Sequence, residues 1–198
     1  MFLQNVLKAL LATSLAVSGV YATDNDLQEE TASSRQLYYG NCYKLSKKDG
    51  EVLGHLPSSW NFLKFAQDDE AIFKVCQNLG ECTIPNSSYQ DLRDGARFWL
   101  FDTKGNDYSK DGSFVAANSP PFGSNKRTYP AGGLYKYYVN FWGENECGSN
   151  RLGTCPVKLH VDNLRDHKGL TVTAAKELHV SDADDTVTVT FDEVDCPN

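Results

Sequence analysis

The sequence predicts a mainly β protein, an antiparallel sandwich or barrel-like fold stabilised by disulfides, with room for one short helix. Short runs rich in valine, threonine, tyrosine and phenylalanine alternate with turn-forming residues along the chain. The most regular run is Asp185–Cys196. Its residues Val187, Val189 and Phe191 fall on one face and threonines on the other, which is typical of a strand with one buried side. Six cysteines are the third observation, because an even number favours a disulfide framework.

The start of the chain has the pattern of a secretory signal peptide over residues 1–22. Lys8 precedes the apolar run Ala9–Val17, and the small residues of Val20–Ala22 suit a cleavage site. The apolar run is shorter than the roughly 20 residues that span a bilayer. Removing Lys8 takes the net charge from −7 to −8. Nucleic acid and membrane surfaces are therefore not expected partners, because both attract basic proteins.

The remaining chain divides into a polar leader and a folded part. Residues 23–36 are acidic, lack hydrophobic periodicity and are predicted to be a disordered leader. Residues 37–198 are predicted to form a single β-rich, disulfide-linked domain. Because the stretch 107–133 is dominated by Gly, Ser, Asn, Asp and Pro, it is predicted to be a long loop. The alternative is two small domains, 37–106 and 134–198, joined by that loop.

Strands are predicted wherever apolar runs lie between turn signals. An Asp-Gly turn at Asp49 and Gly50 suggests a hairpin into Val52, and the run Trp60–Ala66 is compatible with a strand or a short helix. The other predicted strands are Ile72–Cys76, Ala96–Asp102, Leu134–Trp142, Val157–Val161, Leu170–Ala174, Glu177–Val180 and the final run.

The cysteines are expected to pair with one another rather than bind metal, since their spacings do not match zinc sites. Three precede the long loop and three follow it, so complete pairing requires at least one bridge between the two parts. Spacing alone does not choose among the possible pairings. We expect two local bridges, Cys76–Cys82 and Cys147–Cys155, and one long bridge, Cys42–Cys196.

Motifs for catalysis, metal binding or a cofactor are not evident. The histidines His55, His160, His167 and His179 are scattered and carry no catalytic motif. The segment Asp107–Gly112 resembles the opening of a calcium loop, but Asn118 stands where a bidentate glutamate is expected. No catalytic residue, no metal site and no cofactor are therefore predicted.

Two carboxylates form the best catalytic alternative. Glu144 and Glu146 lie beside Trp142, and glycosidases use paired carboxylates, although a solvated acidic loop explains them equally well. Asn86 begins a sequon and is the predicted N-glycosylation site. The basic pair Lys126-Arg127 suits either ordinary surface charge or proteolytic processing, and the same holds for Arg35.

A candidate binding face follows from alternation in the run 134–142. Lys136, Tyr138, Asn140 and Trp142 would share one face, and their mixture of basic, amide and aromatic side chains is typical of a contact surface. We predict this face as the place where a ligand or a protein binds.

The polar leader is followed by the pattern YYGNCYKL, IFKVCQNLGEC, FWLFDTKGN and FDEVDC. In this pattern the chain resembles small cysteine-rich secreted proteins of fungi, including effector-like proteins. It implies an extracellular, non-enzymatic protein that binds a protein or a glycan at a host or environment interface. The alternatives from other classes are a secreted carbohydrate-active hydrolase using Glu144 or Glu146, and a glycan-binding module that stacks sugars on Trp142 and Tyr138.

Overall fold

The computed structural model describes residues 36–80, 82, 91–118, 126–162 and 168–197. These residues are mainly β and contain no α-helix, and six antiparallel strands close into a barrel. The predicted β-rich, barrel-like fold is thus confirmed. The expectations for the signal peptide, for the leader up to Arg35, for Asn86 and for His167 lie outside the described residues.

The described residues contain twelve strands. In chain order they are β1 (Cys42–Ser46), β2 (Leu53–Leu56), β3 (Phe62–Phe65), β4 (Phe73–Cys76), β5 (Arg97–Asp102), β6 (Ser113–Ala117), β7 (Thr128–Pro130), β8 (Asn140–Asn145), β9 (Val157–Val161), β10 (Gly169–Val172), β11 (Leu178–Ser181) and β12 (Val187–Val194). Trp60–Ala66, for which strand and helix both fitted, therefore contains a strand. No helix in the described ranges is long and apolar enough to cross a membrane.

The barrel runs in the order β4-β1-β12-β9-β8-β5 and closes where β5 pairs with β4. Strand β5 also pairs with β6, and β6 pairs with β7, so these two strands extend the sheet outside the closed ring. Two hairpins, β2-β3 and β10-β11, form separate two-stranded sheets. Strands from before and after residues 107–133 thus share one barrel.

The side chains on one face of β12 fill the barrel interior, as the alternation in the sequence predicts. Val187, Val189 and Phe191 are 6%, 1% and 2% exposed. Phe191 meets Phe98 edge-on, and Phe98 stacks with Phe141 across β5 and β8. Aromatic side chains at these positions bury large apolar areas, which is the dominant favourable contribution to folding.

All six cysteines form disulfides in the expected pairs, Cys42–Cys196, Cys76–Cys82 and Cys147–Cys155. The long bridge has a sequence separation of 154 residues. It reinforces the seam between the first and last strands, which pair from Cys42 opposite Val194 to Ser46 opposite Thr190.

Two sequence-based expectations about the middle of the chain are wrong. The stretch 107–133 is not a loop throughout, because it contains β6 and β7, whose short runs pair with β5 and with each other. The predicted strand Leu134–Trp142 begins only at Asn140. Its first residues instead form a tight turn with Gly132 and Gly133, which interrupts the alternation.

Candidate binding site

The predicted binding face is divided between β8 and the segment before it. Asn140 is only 7% exposed, and its amide donates to the carbonyl of Phe98 at 3.4 Å. Trp142 stacks on His160 of β9 with ring centroids 3.6 Å apart and planes inclined by 11°. Because Asn140 is buried and Trp142 is covered on one face, these two side chains offer little free surface.

The other two residues of that face precede the strand. Lys136 is exposed, whereas Tyr138 is half-buried and meets Phe114 edge-on, with ring centroids 5.7 Å apart. Tyr138 also packs against a small buried cluster around Tyr129. The alternation that placed the four residues together therefore does not extend through this segment.

The paired carboxylates each contact a different strand on the outside of the barrel. Glu144 lies 3.7 Å from Nε2 of His160, and Glu146 accepts a hydrogen bond from the Thr188 hydroxyl at 3.1 Å. Burial of the His160 ring lowers its pKa, and the opposing effect of Glu144 does not reverse this. Both carboxylates are exposed, which is the solvated arrangement that the sequence also allowed.

A different group of exposed aromatic and apolar side chains stands out in the structure. We call it the aromatic patch and define it as Trp60, Tyr108, Leu134 and Tyr135. Leu134 is 94% exposed, Tyr108 54% and Tyr135 43%, whereas Trp60 is half-buried. The ring of Trp60 lies 4.4 Å from that of Tyr108 at 33°, and 5.3 Å from that of Tyr135 at 87°. Trp60 therefore joins the two exposed tyrosines.

The turn that carries Leu134 is tightly held. Tyr135 donates its backbone N–H to the carbonyl of Gly132 at 3.0 Å, and Gly133 has a φ of +55°. A Cβ on Gly132 would lie 2.7 Å from the Cβ of Tyr108, so glycine is needed for this approach. Leu134 is thus presented at the tip of a turn that packs directly against the Tyr108 segment.

The segments of Tyr108 and Trp60 are fixed in a similar way. Tyr108 donates its backbone N–H to Oδ1 of Asn106 at 2.9 Å, and the Asn106 amide donates to the carbonyl of Pro130. Asn61, which has a φ of +49°, donates its amide to the carbonyl of Gly105 at 2.8 Å. Buried polar groups that are hydrogen-bonded hold their surroundings in one arrangement.

Beneath the aromatic patch lies a second, smaller core. Tyr129 is 1% exposed and meets both Trp60 and Phe62 edge-on, with ring centroids 5.6 and 6.0 Å away. Burial raises the pKa of Tyr129, which is therefore neutral. Its hydroxyl is buried without a hydrogen-bond partner among the described residues.

Ion pairs between charged residues link this core to the β10-β11 hairpin. Arg127 binds Glu177 through two hydrogen bonds of 2.9 and 3.0 Å and lies over the Phe62 ring at 4.8 Å. His179 also contacts Glu177, at 3.0 Å. Lys126 pairs with Asp182. Lys126 and Arg127 are thus both held in ion pairs within the folded structure.

The Glu177 carboxylate is expected to make stability depend on acid pH. Burial raises its pKa, but His179 and Arg127 outweigh burial and hold the pKa below its ordinary value of 4.5. A carboxyl with a lowered pKa stabilises the folded state above its ordinary pKa, and this contribution disappears as pH falls through the lowered value. Glu177→Gln should therefore lower the free energy of unfolding at pH 7 by about 1.5–3 kcal/mol, the typical value for hydrogen bonds to charged groups.

Urea unfolding of both proteins at pH 7 and at pH 3 measures this difference. We expect the gap between the wild type and Glu177→Gln to narrow at pH 3. Glu144→Gln, at an exposed carboxylate, is the matched control and should change little at either pH. An equal gap at the two pH values would contradict the role given to the Glu177 charge.

The segment that resembles a calcium loop is a turn with internal bonding. The Ser109 hydroxyl donates to the carbonyl of Gly112 at 2.9 Å, while Asp107 and Asp111 are exposed. Across the described residues, no group of three or more His, Cys, Asp or Glu side chains could hold a metal ion.

An open cleft of about 510 Å³ lies elsewhere, between the β1-β2 turn, β10 and the start of β12. Threonines, two valines and the lysines of the turn line it. The ammonium group of Lys47 there is already paired with Glu51 at 2.6 Å. None of the aromatic patch residues lines this cleft.

The aromatic patch is not evident from the sequence, because its members lie in three separate turns. Trp60 follows β2, Tyr108 lies between β5 and β6, and Leu134 lies between β7 and β8. Large apolar side chains beside Gly, Asn and Asp in turn segments were the available signal, because such turns lie at the surface.

Comparisons with known proteins show the fold alone. No family model and no curated protein sequence matches the chain. A solved structure from Caenorhabditis elegans, described as a protein with unknown function, aligns with a TM-score of 0.54 at 10% sequence identity. The alignment covers 82% of this chain and 97% of the other. The chain is therefore similar in architecture to that protein.

Proposed function

We propose that this chain is a secreted, effector-like binding protein that acts by contact through the aromatic patch, not by catalysis. One observation carries the proposal: Leu134, Tyr108 and Tyr135 are strongly exposed next to one another on rigid turns. Adjoining exposed apolar side chains mark interaction sites far more often than single ones do. Tyrosine and tryptophan are also the residues most enriched among energetically important contacts.

Secretion is supported by two features. All six cysteines are paired in three disulfides, and such disulfide frameworks persist in oxidising compartments. The first 22 residues have the charge and hydropathy pattern of a signal peptide. Disulfides and a signal peptide together are typical of a protein that acts outside the cell.

Binding is favoured over glycoside hydrolysis by the surroundings of the carboxylates. In a glycosidase the two carboxylates flank the scissile bond and face the same bound sugar. Glu144 and Glu146 are both exposed and contact His160 and Thr188 on neighbouring strands. The aromatic patch, in contrast, brings exposed aromatic and apolar side chains together at the surface, where they can contact a ligand.

The proposal predicts that binding depends on the patch. The full secreted chain and a Tyr108→Ser, Tyr135→Ser variant would be exposed to an immobilised glycan array, to phage-displayed random peptides and to phosphatidylcholine vesicles. We expect at least one probe to bind the wild type, with binding lost in the double variant. Because both side chains lie at the surface, 54% and 43% exposed, the thermal unfolding midpoint should change little.

Trp142→Ser is the matched control, since it removes an aromatic side chain from the barrel wall instead of from the patch. Its binding should equal that of the wild type. If binding survives in the double variant, or is lost only in Trp142→Ser, the aromatic patch is not the binding surface. Absence of binding to all three probes would refute the proposed function.

A further inference from the structure

We infer that the ligand of the aromatic patch is a neutral carbohydrate, one of whose sugar rings stacks on Tyr108. This inference rests on the proposed function, since it names the ligand class of the same site. It depends on the arrangement of the rings, on the local charge and on the size of the patch.

The rings form a corner with one free stacking face. Trp60 is tilted by 33° against Tyr108 with ring centroids 4.4 Å apart, so the indole lies against one face of the tyrosine. Tyr108 is nevertheless 54% exposed, and we infer that the face turned away from the indole is the exposed one. Tyr135 stands perpendicular to the same indole. The C–H groups of a sugar ring are weakly positive and pack favourably on such a face, while Tyr135 limits the ligand on one side.

The corner is ready for binding before a ligand arrives. Tyr108 is held through Asn106, and the turn of Tyr135 is closed by its bond to Gly132. Stacking energy is small for each ring, so a mobile platform would lose most of it to ordering. Fixed rings keep that energy available for binding.

Charges around the corner are mixed and cancel. Asp107 and Asp111 are exposed on the Tyr108 segment, together with Lys110, and Lys136 follows Tyr135. Two acids and two lysines sum to no net charge, so the formal charge favours neither an anion nor a cation. Carboxylates and ammonium groups do suit sugar hydroxyls, which both donate and accept hydrogen bonds. A neutral, hydroxyl-rich ligand fits this surrounding better than a charged one.

The apolar part of the patch is much smaller than a whole protein interface. Such an interface uses about 20–30 residues on each side. The patch has four exposed or half-exposed apolar side chains at turn tips. A ligand of a few sugar rings needs only a few contacts of this kind, so the size of the patch favours an oligosaccharide over a folded partner.

The test is isothermal titration calorimetry of the full chain with soluble hexasaccharides of glucose, N-acetylglucosamine, mannose and xylose. We expect at least one of them to bind. Tyr108→Ala should weaken that binding by about tenfold or more. Tyr108→Phe keeps the ring and should stay within about twofold of the wild type. Leu79→Ser, at an exposed leucine outside the aromatic patch, is the control and should leave sugar affinity unchanged.

The outcomes separate this inference from the proposed function. If none of the hexasaccharides binds, or if binding is indifferent to Tyr108→Ala, the carbohydrate inference is overturned. If peptides or phosphatidylcholine vesicles then bind and Leu134→Ser abolishes that binding, the patch is a contact site for a protein or a bilayer, and the proposed function stands. If no probe of any class binds through the patch, both fail.

Discussion

Replacing both Cys42 and Cys196 with serine should lower the free energy of unfolding by roughly 5 kcal/mol on the chain-entropy model. The bridge closes 154 residues of chain, so its loss gives the unfolded state the greatest gain in conformational freedom. It also reinforces the pairing of β1, the first strand, with β12, the last strand. Urea unfolding of the wild type and the double serine variant measures the effect.

The bridge Cys147–Cys155 supplies the control, because its sequence separation is only 8. Removing it should cost roughly 2.5 kcal/mol on the same model. The two double variants share the same chemistry and differ mainly in loop length. Equal losses in the two variants would mean that loop entropy is not what the long bridge contributes.

The second large effect is expected at a buried pair formed by His55 and Asp102. Both side chains are 0% exposed, and Nε2 of His55 lies 2.7 Å from Oδ2 of Asp102. The other carboxylate oxygen accepts the backbone N–H groups of Lys104 and Gly105. Asp102→Ala removes all three hydrogen bonds and leaves a buried imidazole without its partner. We expect a loss of about 3–5 kcal/mol in the free energy of unfolding, which chemical denaturation would measure.

Asp102→Asn is the conservative variant for this pair. Its side-chain oxygen can still accept both backbone N–H groups, and His55 can place its proton on Nδ1, which lies 3.4 Å from Asp69. The loss should therefore be clearly smaller than for alanine. A double-mutant cycle with His55→Ala should also show strong coupling. Additive effects of the two alanine substitutions would contradict a direct interaction.

Local pattern was sufficient to predict much of the framework. In β12, strict alternation specified which side chains face the interior. The cysteine pairs were also anticipated, because two pairs are close in sequence and the remaining two cysteines lie near the ends of the folded part. These features depend on a few neighbouring residues or on simple counting.

Long-range contacts account for what the sequence did not predict. Strand β6 has few residues and is flanked by turn-forming residues, and it exists because β5 offers a partner at Phe101 and Asp102. His55 looked unremarkable because its partner is 47 residues away. The aromatic patch depends on three turns that only the closed barrel brings together. Tertiary pairing, which local propensity does not encode, decides each of these.

The proposed recognition site lies on turns and the buried core lies in strands, so the two properties would be separate along the chain. The side chains of Tyr108, Leu134 and Tyr135 contribute little to the buried interior, whereas Phe98, Phe141 and Phe191 fill it. If the patch binds as proposed, substitutions at the turn tips would alter what is bound while the barrel keeps its fold. Such a chain would acquire new specificities one residue at a time, and its framework would not have to be re-evolved for each.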